Sequence, residues 1–391
     1  MGVGERRRLY FRPNETEPDL ESDASFMRRA LDLARRGRGK ASPNPMVGAV
    51  IVSNDGRIVG EGWHERPGTP HAEPVALAAA GAEARGATLY VTLEPCSHTG
   101  RTPPCAPAVI AAVIGRVVAA TSDPNPKVDG RGFAALREAG VRVDVGTLAA
   151  DAERLIAGFF KHTRTGLPFV TLKMAASLDG KVAARDGSSR WITGQAARED
   201  VHVARAESDA IMVGAGTVAA DDPSLTVRLE GYDGRAPLRV VVDGRGRTPA
   251  DSAVLDGQAP TLIATTNAAP AACRDAWSAA GAEVLILASP AGSPGMVPLR
   301  PLMAELGRRD VQTVLLEGGP TLAWSAVRGG LVDRFVLYLA PKLVGGSNAP
   351  GILGGEGIPG MDGALGLRIE GVERVGDDIK VVAVPAASGE A

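Results

Sequence analysis

Apolar positions in this chain alternate between helical spacing and short continuous runs, an order that predicts an α/β architecture. Phe26, Ala30, Leu31 and Ala34 recur at helical spacing, and Gly37 closes that helix. Pro43-Asn44-Pro45 is a rigid turn into Met46 to Val52, a run typical of a buried strand. Asn54-Asp55-Gly56 then predicts a hairpin into Arg57 to Trp63. A helix starts near His71 and runs through alanines to Gly81, and Ala87 to Leu93 forms the next buried strand. Pro103-Pro104-Cys105 opens a further helix, with Pro at its first positions. Strand Arg116 to Ala120, helix Gly132 to Ala139 and strand Val141 to Val145 complete an α/β/α sandwich.

The pattern breaks at "HTRTGLP", between Thr163 and Pro168, and then resumes. Phe169 to Ala175, Asp209 to Val213, Leu238 to Val242 and Val311 to Leu316 read as strands. A helix from Gln195 to Ala206 and one after the turn Glu317 to Thr321, running through Val327, alternate with them, which predicts a mostly parallel sheet. The expected division is a flexible tail over 1–22, one domain over 23–164 and a second over 165–391. Gly345 to Gly360 is too glycine-rich for a core element and reads as a mobile flap or an interface loop.

Composition narrows the function. A chain of 391 residues exceeds what a single core usually supports, and 45% hydrophobic residues suffice for two. A net charge of −2, with no basic block in the folded part, argues against nucleic acid as a partner. Three cysteines make no disulfide framework and suit a reducing compartment. No run has the length of a membrane span, and Met1 to Glu21 lacks an apolar signal core. The expectation is a soluble cytoplasmic protein with a small-molecule substrate and no membrane partner.

The candidate chemistry begins at His71-Ala72-Glu73, followed by Pro95-Cys96 and then Cys105. Two thiols and an imidazole are a zinc-ligand set, and three protein ligands leave the fourth tetrahedral position open for water. Zinc lowers the pKa of that water to about 7, so a nucleophile exists at neutral pH. Glu73, two residues past the histidine, sits where it can exchange a proton with the water without ligating the metal. The H-x-E…P-C signature is that of zinc-dependent base deaminases, although eight residues, Ser97 to Pro104, separate the cysteines. Cys273 stands alone and reads as an inert core thiol. Asn44, His64, His98 and Arg101 are candidates for substrate polar groups or phosphate, and His98 and Arg101 serve equally well to satisfy the inter-cysteine loop.

In the second half, Lys173 lies inside an apolar strand, which is costly unless its amine reaches a partner or a pocket. Gly214-Ala215-Gly216-Thr217 is only the front of a dinucleotide fingerprint. Glu317-Gly318-Gly319-Pro320-Thr321 after a buried strand is more telling, since glycines and a helix start favour phosphate; a ligand-free tight turn is the alternative. Arg245 and Arg247, just past Asp243-Gly244, are placed to meet a 2′-phosphate, which favours NADPH over NADH; the alternative is a surface loop.

"PNPMVGAVIV", "PHAEPVAL", "GATLYVTLEPCSHTGRTPPC" and "SDPNPKVDGRG" strongly resemble the bifunctional riboflavin-biosynthesis deaminase/reductase family. "LKMAASLDGK", "SSRWITG", "ARAESDAIMVGAGTV", "DDPSLTVR", "LLEGGPTL" and "APKLVGG" resemble its reductase half, and the similarity runs from Phe26 almost to the end. The long gap between the cysteines is itself typical of the family. The resemblance implies a cytidine-deaminase-like first domain, a dihydrofolate-reductase-like second domain, Zn2+, NADPH and a homo-oligomer. His71, Cys96 and Cys105 would then hold zinc, with Glu73 as the proton shuttle. The substrate would be a diamino-hydroxy-phosphoribosylaminopyrimidine that loses its 2-amino group, after which hydride reduces the ribosyl C1 to give a ribityl chain. The implied cofactor positions are Ala175, Trp191, Thr217 and Asp221, with Gly244 and the turn Gly319, Pro320, Thr321, Leu322, Ala323, Trp324, Ser325. The implied substrate positions are Ser189, Arg205, Leu225, Arg228 and Glu317. Without the family, Trp191 reads as core, Arg205 as a solvated helix residue and Asp221-Asp222-Pro223 as an ordinary turn. Two rival readings remain: a tRNA or nucleoside deaminase, or a deaminase-like half kept only as an assembly module.

Overall fold

The structure is a computed structural model and describes residues 22–98 and 102–386. Arg101 and the expected tail over 1–21 lie outside the described residues. Among the described residues the strands form two sheets, one of five strands and one of nine.

The first sheet has the order β2-β1-β3-β4-β5. It comprises β1 (Gly48–Val52), β2 (Ile58–Trp63), β3 (Thr88–Val91), β4 (Arg116–Ala119) and β5 (Arg142–Val145). β1 is antiparallel to β2 and β3, while β3, β4 and β5 run parallel. Successive residues of a strand point to opposite faces, so each strand feeds two cores. Ile51, Leu89, Val91 and Val117 pack with α2 (Ala72–Ala80), α3 (Cys105–Ala111) and α4 (Arg131–Glu138). Val50, Tyr90 and Val118 pack instead on α1 (Asp23–Ala34) and α5 (Ala149–Leu155). The α/β/α sandwich therefore stands as expected. Helix α3 starts at Cys105 with Pro104 as its cap, so the prolines precede the helix rather than open it.

The helix that carries the site touches its sheet through glycine. A Cβ on Gly62 would lie 2.3 Å from the Ala72 carbonyl oxygen, and one on Gly60 the same distance from that of Ala76. α2 thus rests on the bare backbone of β2, which fixes the depth of His71 and Glu73.

α6 (Ala157–Thr165) ends on Gly166 in a left-handed conformation, and the second sheet follows in the order β10-β9-β8-β7-β11-β6-β12-β14-β13. Its strands are β6 (Phe169–Ser177), β7 (Ala210–Gly214), β8 (Leu238–Val242), β9 (Thr261–Thr265), β10 (Glu283–Ile286), β11 (Thr313–Leu316), β12 (Arg334–Ala340), β13 (Leu367–Val375) and β14 (Asp378–Pro385). From β10 to β12 the neighbours are parallel; β14 and β13 add an antiparallel edge. On one face α10 (Leu299–Arg308) and α11 (Pro320–Arg328) cover Leu172, Met212, Val240 and Leu316. On the other, Ile211, Val213 and Val241 meet α8 (Ala215–Asp221) and α9 (Ala271–Ala279), while Tyr338 of β12 packs on α7 (Gln195–Ala206). No helix among the described residues is long and apolar enough to cross a membrane.

The loop over 345–360 is tied to its neighbours rather than free. Asp179 accepts the Val344 and Gly345 amides, Gly354 donates to the Pro320 carbonyl, and Lys181 pairs with Gly351 in a β-bridge.

Replacing Gly62 by Ala must push α2 off β2, and overpacking of this kind costs about 1–3 kcal/mol. Guanidinium denaturation of the variant should show a lower midpoint at unchanged slope; an unmoved midpoint would mean that the helix is not seated on that backbone.

Candidate active sites

His71 is the residue before α2, in extended backbone, and Glu73 lies in the first turn. Cys96 follows the end of β3, and Cys105 is the first residue of α3. The three candidate ligand atoms lie within 4.8 Å of one another. His71 Nδ1 is 3.3 Å from the Cys105 sulfur and 3.6 Å from that of Cys96. A tetrahedral zinc with ordinary Zn–N and Zn–S bonds demands N···S edges of about 3.5 Å, so the donor set fits the ion without rearrangement.

Thr102, which the sequence did not mark, lies 3.2 Å from His71 Nε2 through its hydroxyl. A donor bond from Nε2–H to that hydroxyl sets the tautomer that leaves Nδ1 as the ligand. The Cys105 thiol hydrogen-bonds Cys96, and with the contact to His71 this pulls the Cys96 thiol well below its ordinary value. The same bond and burial push the Cys105 thiol up. A divalent cation would displace the remaining protons from the donor set, since its ligands must be deprotonated. Burial raises the Glu73 carboxyl to about 7, with the Cys96 charge adding to the effect. A carboxyl poised there both accepts and returns a proton near neutrality.

The candidates around this centre separate. His64 is buried, with its ring edge against that of His71 at 5.2 Å between centroids. Its Nδ1 lies 3.2 Å from the Pro70 carbonyl oxygen and its Nε2 3.0 Å from the Asn44 amide nitrogen. Burial depresses the His64 pKa, so the ring is neutral, donates from Nδ1 and accepts at Nε2. His98 Nδ1 is buried with no partner among the described residues. Glu94, which the sequence did not mark, is buried, and its carboxylate accepts the amides of Asp123, Gly130, Gly132 and Phe133. It thereby ties the loop before α4 to the segment that presents Cys96.

The second site is a cleft of about 1070 Å³ at the carboxyl ends of β6, β7, β8 and β11. Ligands of open α/β sheets bind at such strand ends. Ala175, Ser189, Thr217, Asp221, Gly244, Glu317, Gly319, Pro320, Thr321, Leu322 and Ser325 all line it. So do Lys173, Arg245 and Arg247. The Gly319 amide donates to Thr217 Oγ1 at 3.1 Å, joining the two glycine turns into one wall. Asp243, fully buried, accepts the amides of Arg245, Gly246, Arg247 and Thr248 and so shapes the turn that carries both arginines.

Other positions face elsewhere. Ala323 is buried in the core beneath α11, and Trp324 lies against Gly355 of the 345–360 loop. The Leu225 side chain is in the core near Trp277. Arg228 rests on His202 outside the cleft lining. Trp191 is not core: it is 64% exposed, with Arg198 stacked over its ring. Nor is Arg205 a solvated helix residue. Its nearly buried guanidinium grips Glu317 with both oxygens engaged, at 2.7 and 3.0 Å. Lys173 stands 3.9 Å from the same carboxylate. Burial lowers the lysine's pKa; burial also opposes the Glu317 charge, but Arg205, aided by Lys173, outweighs it and holds that carboxyl below its ordinary value.

A zinc-centred deaminase joined to a nucleotide-cleft reductase is the class that these two sites define. Residues 20–121 match the family model of the cytidine and deoxycytidylate deaminase zinc-binding region, and residues 168–381 match that of the RibD C-terminal domain. The riboflavin biosynthesis protein RibD of Escherichia coli is 46% identical over 336 residues, covering 83% of this chain and 89% of that protein. RibD of Aquifex aeolicus is 41% identical over 362 residues, covering 92% and 98%. The solved structure of Acinetobacter baumannii RibD superposes with a TM-score of 0.83 at 39% identity, over 94% of this chain and all of that one. A Thermotoga maritima structure titled diaminohydroxyphosphoribosylaminopyrimidine deaminase/5-amino-6-(5-phosphoribosylamino)uracil reductase gives 0.79 at 34% identity, over 93% and 99%. The chain belongs to the RibD family of bifunctional riboflavin-biosynthesis deaminase/reductases. It is a zinc-dependent deaminase and an NADPH-dependent reductase. The rival readings, a tRNA deaminase or an assembly module, gain no support from these relatives.

Serine at Cys96 or Cys105 should abolish stoichiometric zinc in elemental analysis of the purified protein, whereas Cys273→Ser should keep it. Loss of metal in the Cys273 variant would show that the ligand set is wrong.

Proposed function

We propose that the first site hydrolyses the 2-amino group of 2,5-diamino-6-(5-phosphoribosylamino)pyrimidin-4(3H)-one, and that the second reduces the product's ribosyl group to ribityl. The observation that carries this reading is the buried Glu73 carboxyl beside a three-donor zinc set that has no fourth protein ligand among the described residues. His71, Cys96 and Cys105 would hold zinc, which would supply a water acidified to near neutrality. Glu73 takes a proton from the attacking water and returns it to the departing amine, so ammonia leaves and a carbonyl remains at C2. Its pKa near 7 suits both transfers.

In the second site the hydride adds at ribosyl C1, which requires the sugar ring to open to a carbonyl or imine. Lys173 is the group placed to polarise that open form, since its amine is buried, lines the cleft and is steadied by Glu317. Arg205 acts behind Glu317 rather than on the sugar phosphate directly, because its guanidinium is already committed. Arg245 and Arg247 supply charge for a 2′-phosphate at the rim. Water must be excluded while the imine is open, and the anchored 345–360 loop, whose Pro350 lines the cleft, serves that purpose.

The division between the halves, 23–164 and 165–391, falls in the last turn of α6, and the left-handed Gly166 that ends this helix supports it. A homo-oligomer fits the outer strand β13, an open edge on which Ile369 and Val372 are each 62% exposed. A second copy of this chain is the partner that such an edge accepts, and Ile369→Lys should lower the mass seen in sedimentation. Small molecules, not nucleic acid, are the substrates, and a cytoplasmic setting suits three unpaired cysteines.

Glu73→Gln should cut ammonia release from the diaminopyrimidine by at least about a hundredfold, while hydride transfer to the deaminated product continues. A parallel fall in both activities would refute independent heads. Replacing Arg245 and Arg247 together by Ala should raise the KM for NADPH but not for NADH; an equal effect on both cofactors would remove the 2′-phosphate role.

A further inference from the structure

The two halves meet across a small polar seam. A cavity of about 70 Å³ between the halves is lined by Asn44, Leu155, Phe159, Asp209, Arg235 and Gln312, among others. Around it, Arg38 pairs with Glu207 and Lys40 with Asp233, and the Arg235 amide donates to the Gly39 carbonyl. Exposed pairs of this kind contribute little individually.

One contact in the seam is different in kind. Gln312, immediately before β11 of the reductase sheet, is 7% exposed, and its side-chain amide donates to the Pro43 carbonyl at 2.5 Å. Its backbone is fixed on the reductase side: the Gln312 and Thr313 amides both donate to the buried Asp209 carboxylate, whose other oxygen accepts from Arg235. Pro43 is the neighbour of Asn44, whose amide meets His64 Nε2. His64 in turn holds the Pro70 carbonyl, one residue before the ligand His71, and stacks edge-on to that ligand's ring. An unbroken run of contacts therefore leads from a reductase strand to the zinc ligand.

We propose that Gln312 is a positioning residue for deamination. By holding the Pro43 carbonyl, it aims the Asn44 amide at His64 and so fixes His64, Pro70 and the His71 imidazole. The reductase half then supplies part of the deaminase geometry, although the hydride chemistry makes no use of Gln312. This role rests on the deaminase reading and adds to it a dependence on the other half of the chain. An orientation error of about 1 Å transmitted to a reacting centre can cost about a hundredfold in rate.

The test is a double-mutant cycle in the full-length, zinc-loaded protein, with ammonia release, hydride transfer and zinc content measured for each form. Wild type must release ammonia from the diaminopyrimidine; if it does not, the proposed deaminase substrate fails, not the role of Gln312. Gln312→Ala should lower kcat for ammonia release by about tenfold to about a hundredfold, with one zinc retained and hydride transfer unchanged. Gln312→Glu, which keeps the length but has no amide donor, should behave like the Ala variant. In an Asn44→Ala background, Gln312→Ala should cause no further loss. The proposal is overturned if ammonia release in Gln312→Ala equals wild type, if hydride transfer or zinc falls in proportion, or if the two substitutions are multiplicative.

Discussion

A carboxylate inside a protein survives only if its oxygens are met by donors, and this chain meets them largely with main-chain amides. Glu94, Asp209 and Asp243 are all buried, and all accept amides of a loop next to functional residues. Each bond to a charged acceptor is stronger than a neutral one, and losing the carboxylate would orphan several buried N–H groups together. The result is that irregular segments, which lack a ladder to hold them, are fixed to the sheets. Glu94 docks the loop before α4 on the Cys96 segment, Asp243 forms the turn under Arg245 and Arg247, and Asp209 sets the start of β11. The sites can be built from loops because these anchors make the loops rigid.

The two catalytic regions solve the problem of buried charge differently. In the deaminase half, unlike donors converge on one point that a divalent cation neutralises, and Glu73 is left with no cationic partner of its own. Its raised pKa follows from burial, with the Cys96 charge adding to it. In the reductase half the charges neutralise each other: Arg205 and Lys173 flank Glu317, so a cationic lysine amine can sit at the floor of a cleft. The first arrangement favours proton transfer and the second favours stabilising a developing charge.

Both halves also place their chemistry where a strand gives way to a helix. Cys96 and Cys105 bracket the connection from β3 to α3, Thr217 lies in the first turn of α8 after β7, and Gly319 caps α11 after β11. Their helix starts carry a positive dipole end, which suits a thiolate in one case and a phosphate in the other.

Much of this was legible in one dimension, because the signals were local. Strand and helix periods reflect which face meets a core, and ligand chemistry at fixed spacing marks a metal site; so the sandwich, the mostly parallel sheet and the set His71, Glu73, Cys96 and Cys105 followed from the residues. What tertiary structure decided was orientation across distance. Ala323 and Trp324 sit in α11 between residues that line the cleft, yet the helical rotation turns their side chains away from it. Arg239, in an apolar strand, is wholly buried because Asp256, Thr261 and three carbonyls from separate segments converge on its guanidinium. Thr102, Glu94 and Gln312 carry no motif at all. Their roles come from partners that folding brings beside them, and no periodicity along the chain records such pairings.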